Sequence, residues 1–441
     1  MPADAASVAI MHHLVCAESS VMSELPSVDD TSLKAVLAET PFRKFLSARF
    51  LSAIAIQMQT VAVGLQVYNL THDPMDLGLV GLSQFAPFLI LVLFAGQAAD
   101  RWTRKYIVLG CFAVQWLCAG ALCLLTYLHV PQVWPVFVVM CVFGAARACV
   151  MPASQALTPN LISHALFRKA IVINSSTWQI ATIAGPAVGG LAYGLYGPLF
   201  VYACVLGLTT WSIVAIIGMR SPPQLVSVGQ ATWRTVLHGV QFVWKRPILL
   251  GAISLDLFAV LFGGATALLP AYATDILFVG PEGLGWLRAA PGIGAALIAG
   301  VLAYRPMGRN VGWVLFVSVA IFGAATIVFG LSRSFWVSLV ALAVLGGADM
   351  ISVFVRQLLV QLDTPDDMRG RVGAVSAMFI GASNELGEFE SGSTAAWWGL
   401  IPAVVLGGAA TIAIAGIWAR FFPTLRRMDQ FPAPSGSSAG R

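Results

Sequence analysis

From Leu77 to Ala99 the chain carries no charged side chain, and from Tyr106 to Leu128 it again carries none; Asp100, Arg101, Arg104 and Lys105 stand between the two runs. About twenty apolar residues in an α-helix match the ~30 Å hydrocarbon core of a bilayer. Inside lipid, each backbone polar group must find its partner within the chain, so such runs become helices or they do not cross. The two runs therefore predict a helical hairpin with a short basic loop. The same alternation continues through most of the sequence. A soluble domain has roughly a quarter of its residues charged; here the share is 10%, against 58% hydrophobic. The fold class is all-α integral membrane, and the charge clusters read as membrane-facing loops with no implied nucleic-acid partner.

Residues 1 to 41 are more polar, with His12, His13, Asp29 and Asp30, and predict a cytoplasmic tail. Met11 and Met22 leave open a later start of translation. Arg43, Lys44 and Arg49 lead into a first six-helix half, residues 42 to 219. Residues 220 to 247 follow as an interior linker, and Thr232 to Trp244 places Val236, Val240, Phe242 and Val243 among Arg234 and His238, as an interfacial amphipathic helix does. The second half spans 248 to 422, and 423 to 441 form a second cytoplasmic tail.

The halves repeat one plan. Gly300, Tyr304, Arg305 and Arg309 stand to the second half as Gly96, Asp100, Arg101 and Lys105 stand to the first, and Thr364-Pro365-Asp366 echoes Thr158-Pro159-Asn160 at nearly the same offset. Twelve transmembrane helices in two pseudo-repeated halves result. Lys and Arg gather in the alternate loops that this topology puts inside, Arg168, Lys169, Arg220, Lys245, Arg246, Arg369, Arg371, Arg426 and Arg427 among them, while Arg333 falls outside. The bias predicts that both termini are cytoplasmic.

Polar side chains within spans mark where function can lie. Gln59 shares the first span with Gln57 and Gln66, and either lines a cavity or ties helices together. Arg147 sits inside the fourth span, and either faces a cavity or snorkels to the interface. Asn174 and Trp178 lie in the fifth span, ahead of Gly185, Pro186, Gly189 and Gly190, where small residues admit a neighbouring helix and the proline frees a backbone carbonyl. In the second half, Asp256, Asp349, Arg356, Asn384 and Glu385 occur within spans, and Glu388 and Glu390 lie either in the end of the eleventh span or at the exterior mouth. Asp256 has no charged neighbour in sequence and is the first candidate for a proton-coupling group, Glu385 the second. The competing reading for each acid is a permanent ion pair with Arg147, Arg288 or Arg356.

The loop Gly96-Gln-Ala-Ala-Asp100-Arg101-Trp-Thr-Arg104-Lys105 is similar to the loop between the second and third helices of the major facilitator superfamily, with Thr103 where the family prefers Gly. Gly185-Pro186-Ala-Val-Gly189-Gly190 resembles the fifth-helix motif of its proton-coupled exporters, with Ala181 replacing the first Gly. Leu255-Asp256-Leu-Phe, Arg369-Gly370-Arg371-Val372 and Ser383-Asn384-Glu385-Leu386-Gly387 look like the enterobactin-exporter branch, over almost all of residues 42 to 420. The resemblance implies a cavity-facing Arg147, a gating role for Gly96, Asp100, Arg101, Arg104 and Lys105, and alternating access.

Other chemistries lack their parts. No Walker-type phosphate loop and no His-Glu-x-x-His occurs, and Cys16, Cys111, Cys118, Cys123, Cys141, Cys149 and Cys204 show no metal-ligand spacing. The chain reads as no enzyme, with no cofactor and no metal. The expected function is proton-coupled export of a small metabolite, favouring a siderophore. Broad drug efflux in exchange for protons is the near alternative, and a channel or membrane sensor the distant one. Oligomeric state is open.

Overall fold

The computed structural model describes residues 33–162, 166–220, 240–305 and 307–431. The described segments are helical throughout: α1 (Leu33–Ala38), α2 (Thr40–Thr71), α3 (Pro74–Arg101), α4 (Arg104–Tyr127), α5 (Trp134–Leu157), α6 (Phe167–Ile217), α7 (Pro247–Phe262), α8 (Gly280–Tyr304), α9 (Val311–Leu331), α10 (Phe335–Leu362), α11 (Asp366–Trp398) and α12 (Leu400–Phe421). Among the described residues, nine helical stretches are long and apolar enough to cross a membrane. Proline opens several of them, at the first-turn positions where the missing N–H costs nothing.

Two glycines turn the chain at comparable places in the expected halves. Gly197 (φ 79°) divides the long α6 into two helices, and Gly399 (φ 89°) turns α11 into α12. A side chain at either φ would be strained, so both tight reversals depend on glycine. Glycine also closes one helix pair in each half. Gly144 of α5 lies directly on the backbone of Gln84 in α3, and Gly346 of α10 on that of Pro291 in α8.

The buried apolar residues sort the helices into two bundles. One cluster joins Phe45, Phe112, Leu157 and Ile216, and a second Met58, Leu122, Met140 and Tyr202, all from α1 to α6. Leu249, Leu315, Val355 and Leu425 form a third within the later helices. A fourth is centred on Leu269, Tyr272, Leu287 and Phe329 and admits Val61 and Leu65 of α2, so the bundles share apolar contact there. The packed structure starts earlier than the expected tail boundary, because Val36 of α1 is fully buried. The expected amphipathic linker helix falls mostly outside the described residues.

The expected loop from Gly96 to Lys105 is shorter than its charge pattern implied. Helix α3 continues to Arg101 and α4 begins at Arg104, which leaves Trp102 and Thr103 as the turn. Lys105 donates to the carbonyls of Ile217 and Met219, and Lys44 to that of Gly218 (2.7 Å). Two cations thus satisfy the open carbonyls at the end of α6, where the helix dipole is negative.

After α7 the chain breaks at Gly263-Gly264, passes through a 3-10 turn (Ala265–Leu268) and forms a π-helical turn (Tyr272–Ile276). Single π turns recur at functional positions. This one presents Asp275 to Tyr68 of α2, whose hydroxyl donates to it across the two bundles.

Candidate functional site

The bundles meet along two helix pairs, α3 against α11 and α6 against α8. Glycine permits both approaches. On the first, Gly78 faces the backbone of Phe389 and Gly392, so a Cβ there would meet atoms at 3.2 Å. On the second, Gly190 faces Pro281 and Gly285, with a Cβ reaching 2.5 Å from the Pro281 carbonyl. The expected helix-bend motif is a two-sided packing surface: Gly185 and Gly189 sit against Gln57 and Met58 of α2, while Gly190 turns to the other bundle. Pro186 is buried within helix that continues past it.

These contacts run from the end bearing the Tyr68–Asp275 bond to about mid-helix, where Gly381 approaches Phe88 and Gln179 donates to the Gly292 carbonyl (3.4 Å). Near that depth, Arg147 of α5 forms an ion pair with Glu385 of α11 (3.4 Å) and donates to Gln84 of α3 (3.4 Å). The Arg147 side chain is 42% exposed and that of Glu385 18%. Behind the pair lies a cavity of about 30 Å³, lined by Thr60, Gly64, Gln84 and Met140 of the first bundle and by Arg288 and Glu388 of the second. A water needs roughly 10–15 Å³ of such volume, so the space holds two or so.

Asp256 has a different setting. It pairs with Arg356 of α10 inside the second bundle and accepts a hydrogen bond from Ser352 (3.3 Å). Both partners are shut from solvent, at 4% and 2% exposure. Asp349 lines a neighbouring void of about 10 Å³ together with Asp256 and Ser352. Arg147 and Asp349 each follow the helix-closing glycine of their bundle, Gly144 or Gly346, by one turn, so the repeat puts a charge at matching positions.

The remaining expected site residues are scattered. Gln59 is buried with its Nε2 unpartnered, and Asn174 accepts from Arg49 (3.1 Å). Trp178 and Asn384 are exposed. The side chains of Gly96, Asp100 and Arg101 lie outside the described ones, and Arg104 has a partner. Glu388, for which the sequence left a place within the eleventh span or at the exterior mouth, packs its carboxylate against Gly81, where a Cβ would come within 2.7 Å of Oε2. Gln84 was not expected in the site, and Arg288 was expected only as a possible ion-pair partner. The available signal was the small-residue spacing Gly78/Gly81 opposite Gly387/Gly392, which marks closely packed helices.

Two helical bundles with charges between them at mid-depth are the build of a secondary transporter. The chain belongs to the transmembrane secretion effector family of the major facilitator superfamily, whose family model it matches over residues 31–437. It is similar to the enterobactin exporter EntS of Escherichia coli O1:K1, 26% identical over 76% of this chain and 80% of that one. The EntS of Escherichia coli O157:H7 is 25% identical over 90% of this chain and 96% of the relative. Its fold matches the nucleoside transporter NupG (TM-score 0.66, 14% identity, covering 87% of this chain and 99% of that one). It also matches a bacterial homologue of the human lysosomal transporter Spinster in an inward-facing, occupied conformation (TM-score 0.70, 14% identity, 88% and 96% covered).

Proposed function

We propose that this chain exports a small metabolite, with a siderophore as the favoured cargo, in exchange for protons and by alternating access. The observation that carries this reading is the Arg147–Glu385 ion pair, which joins the two bundles at mid-depth beside a cavity that both bundles line. The number of spans fits twelve when α6 is counted as two helices at Gly197 and when α5 and the more polar α11 join the nine apolar stretches. With the basic loops inside, both termini are cytoplasmic and the Tyr68–Asp275 end is exterior. The arrangement is then closed to the outside, in line with the inward-facing state named for the Spinster homologue.

In this state Glu385 must have lost its proton to pair with Arg147, and the closed exterior leaves the cytoplasm as the exit. When the bundles part on the exterior side, the pair breaks and the carboxylate meets outside water, where it takes a proton as cargo leaves. The neutral acid needs no partner, and the bundles return. Each cycle carries one proton in and cargo out through one ionisable group. Glu385 thus comes before Asp256 as coupling group, the reverse of the order read from sequence, because Asp256 faces its arginine within one bundle. Asp100 and Arg101 belong to the cytoplasmic gate that closes when the exterior opens.

The cargo assignment is supported by the likeness to EntS. Growth and secretion tests probe it. Deletion of the gene should trap a siderophore inside iron-starved cells; unchanged secretion together with raised sensitivity to several unrelated toxins would replace it with broad drug efflux.

A further inference from the structure

Arg288 and Glu388 both belong to the second bundle, yet each charged head lies against a glycine of the first. A Cβ on Gly64 would stand 3.5 Å from Arg288 Nη2, and one on Gly81 would stand 2.7 Å from Glu388 Oε2. The notch at 81 thus seats the Glu388 head, and the notch at 64 seats the Pro270 ring (3.1 Å) with the Arg288 head beside it. Both line the cavity between the bundles. Even so, no carboxylate among the described residues closes on Arg288 as an ion pair, whereas Arg147, Arg246, Arg309 and Arg356 each have one. The Arg288 Nε is also fully buried without a hydrogen-bond partner. A guanidinium carries five N–H donors in a planar fork suited to carboxylate, phosphate or similar anions. Here that fork projects into the space from which the bundles separate.

We propose that Arg288 is the cargo-recognising residue and that it binds an anionic group of the cargo, with Glu388 as the resident acid balancing its charge until cargo arrives. The inference rests on the transporter reading and deepens it by naming the chemistry of the cargo. It makes the site selective for anions over neutral or cationic molecules of the same shape. Four charged groups set the local field: Arg288 from α8, Arg147 from α5, and Glu385 and Glu388 from α11. With the Arg147–Glu385 pair neutral as a unit, removing the charge of Glu388 leaves Arg288 in excess and should strengthen anion binding. The cavity of about 30 Å³ is the closed remnant of this site; a drug-sized ligand needs roughly 300–1,000 Å³, so the site reaches full size only as the bundles rearrange during the cycle.

The test uses the full chain in lipid nanodiscs and equilibrium dialysis of three probes of one shape: 1-naphthoate, 1-naphthamide and 1-naphthylmethylammonium. The wild type should bind the anion at least tenfold more tightly than the other two. Arg288→Gln should remove that preference, Arg288→Lys should keep it within severalfold, and Glu388→Gln should tighten the anion by severalfold. Equal binding of all three probes by the wild type, preference for the cation, or no binding of any would overturn the proposal. So would a folded Arg288→Gln variant that still prefers the anion. If Arg288→Gln does not fold, Glu388→Gln decides, since unchanged anion affinity there contradicts the charge balance. A protein that discriminates the probes but couples no proton to efflux loses the export reading and keeps this one; coupled efflux without discrimination does the reverse.

Discussion

Of the arginine–carboxylate pairs among the described residues, the two that lie within spans have opposite settings. Arg356–Asp256 joins α10 to α7 inside one bundle, with both side chains almost wholly buried. Arg147–Glu385 joins α5 to α11 across two bundles, with the arginine 42% exposed. A buried pair is expensive to break, because whichever partner remains is an uncompensated charge. A partly exposed pair holds its members loosely, since water can replace either partner. The contrast teaches that a coupling group has to be cheap to separate from its partner and has to sit where the conformational change separates them. In the proposed cycle Asp256 satisfies neither condition, and Glu385 satisfies both.

The largest effect should come from breaking the sealed pair. Asp256→Ala leaves Arg356 buried alone and should cost about 3–5 kcal/mol of stability, measured as a large fall in melting temperature or in the yield of folded protein. Replacing both partners, Asp256→Leu with Arg356→Met, should recover most of that loss and much of the transport. Recovered stability with no coupled transport would return Asp256 to first place.

Next come the glycines on which the two bundles close. Gly190→Val places atoms onto Pro281 and Gly285 and so should hold apart the end bearing the Tyr68–Asp275 bond, exterior in the proposed orientation. Transport should fall more than tenfold, while a cysteine introduced at residue 193 becomes reactive to an impermeant thiol reagent added outside. An unlabelled cysteine with normal transport would show that the α6–α8 contact is not part of the cycle. At the other end, Asp100→Asn should lower turnover several-fold with folding intact, a result checked by initial efflux rates at matched expression.

The half-exposed pair should matter less to stability. Arg147→Gln and Glu385→Gln should each cost less than Asp256→Ala, yet each should lower proton-driven efflux at least tenfold. Smallest of all is Lys105→Met, which removes donors from the end of α6 and should cost about 0.3–1 kcal/mol, read as a small drop in melting temperature.

The helical membrane class and the repeat were legible because lipid imposes a pattern along the chain: uncharged runs and basic turns occur in sequence order. Gly197 and Gly399, both with positive φ, turn the chain at comparable places in the two expected halves. The charged loop was read too long, since a helix can carry Asp100 and Arg101 in its last turn as easily as a loop can. Partnerships were not legible. Asp256 lies a hundred positions from Arg356, and Glu385 more than twice that from Arg147. Nothing in local spacing tells one arginine from another as a partner. Arg288 and Glu388 escaped for a related reason: their role comes from the glycine notches at 64 and 81 on another bundle, and a glycine in a membrane helix reads first as packing.

The most direct test is to follow proton uptake and cargo efflux together in proteoliposomes for Glu385→Gln and for the paired Asp256→Leu, Arg356→Met variant. Glu385→Gln should exchange labelled cargo across the membrane at equilibrium but accumulate none against a gradient, with no cargo-linked proton movement, while the paired variant stays coupled. Proton-coupled accumulation by a well-folded Glu385→Gln protein, with loss of coupling in the paired variant, would contradict the account.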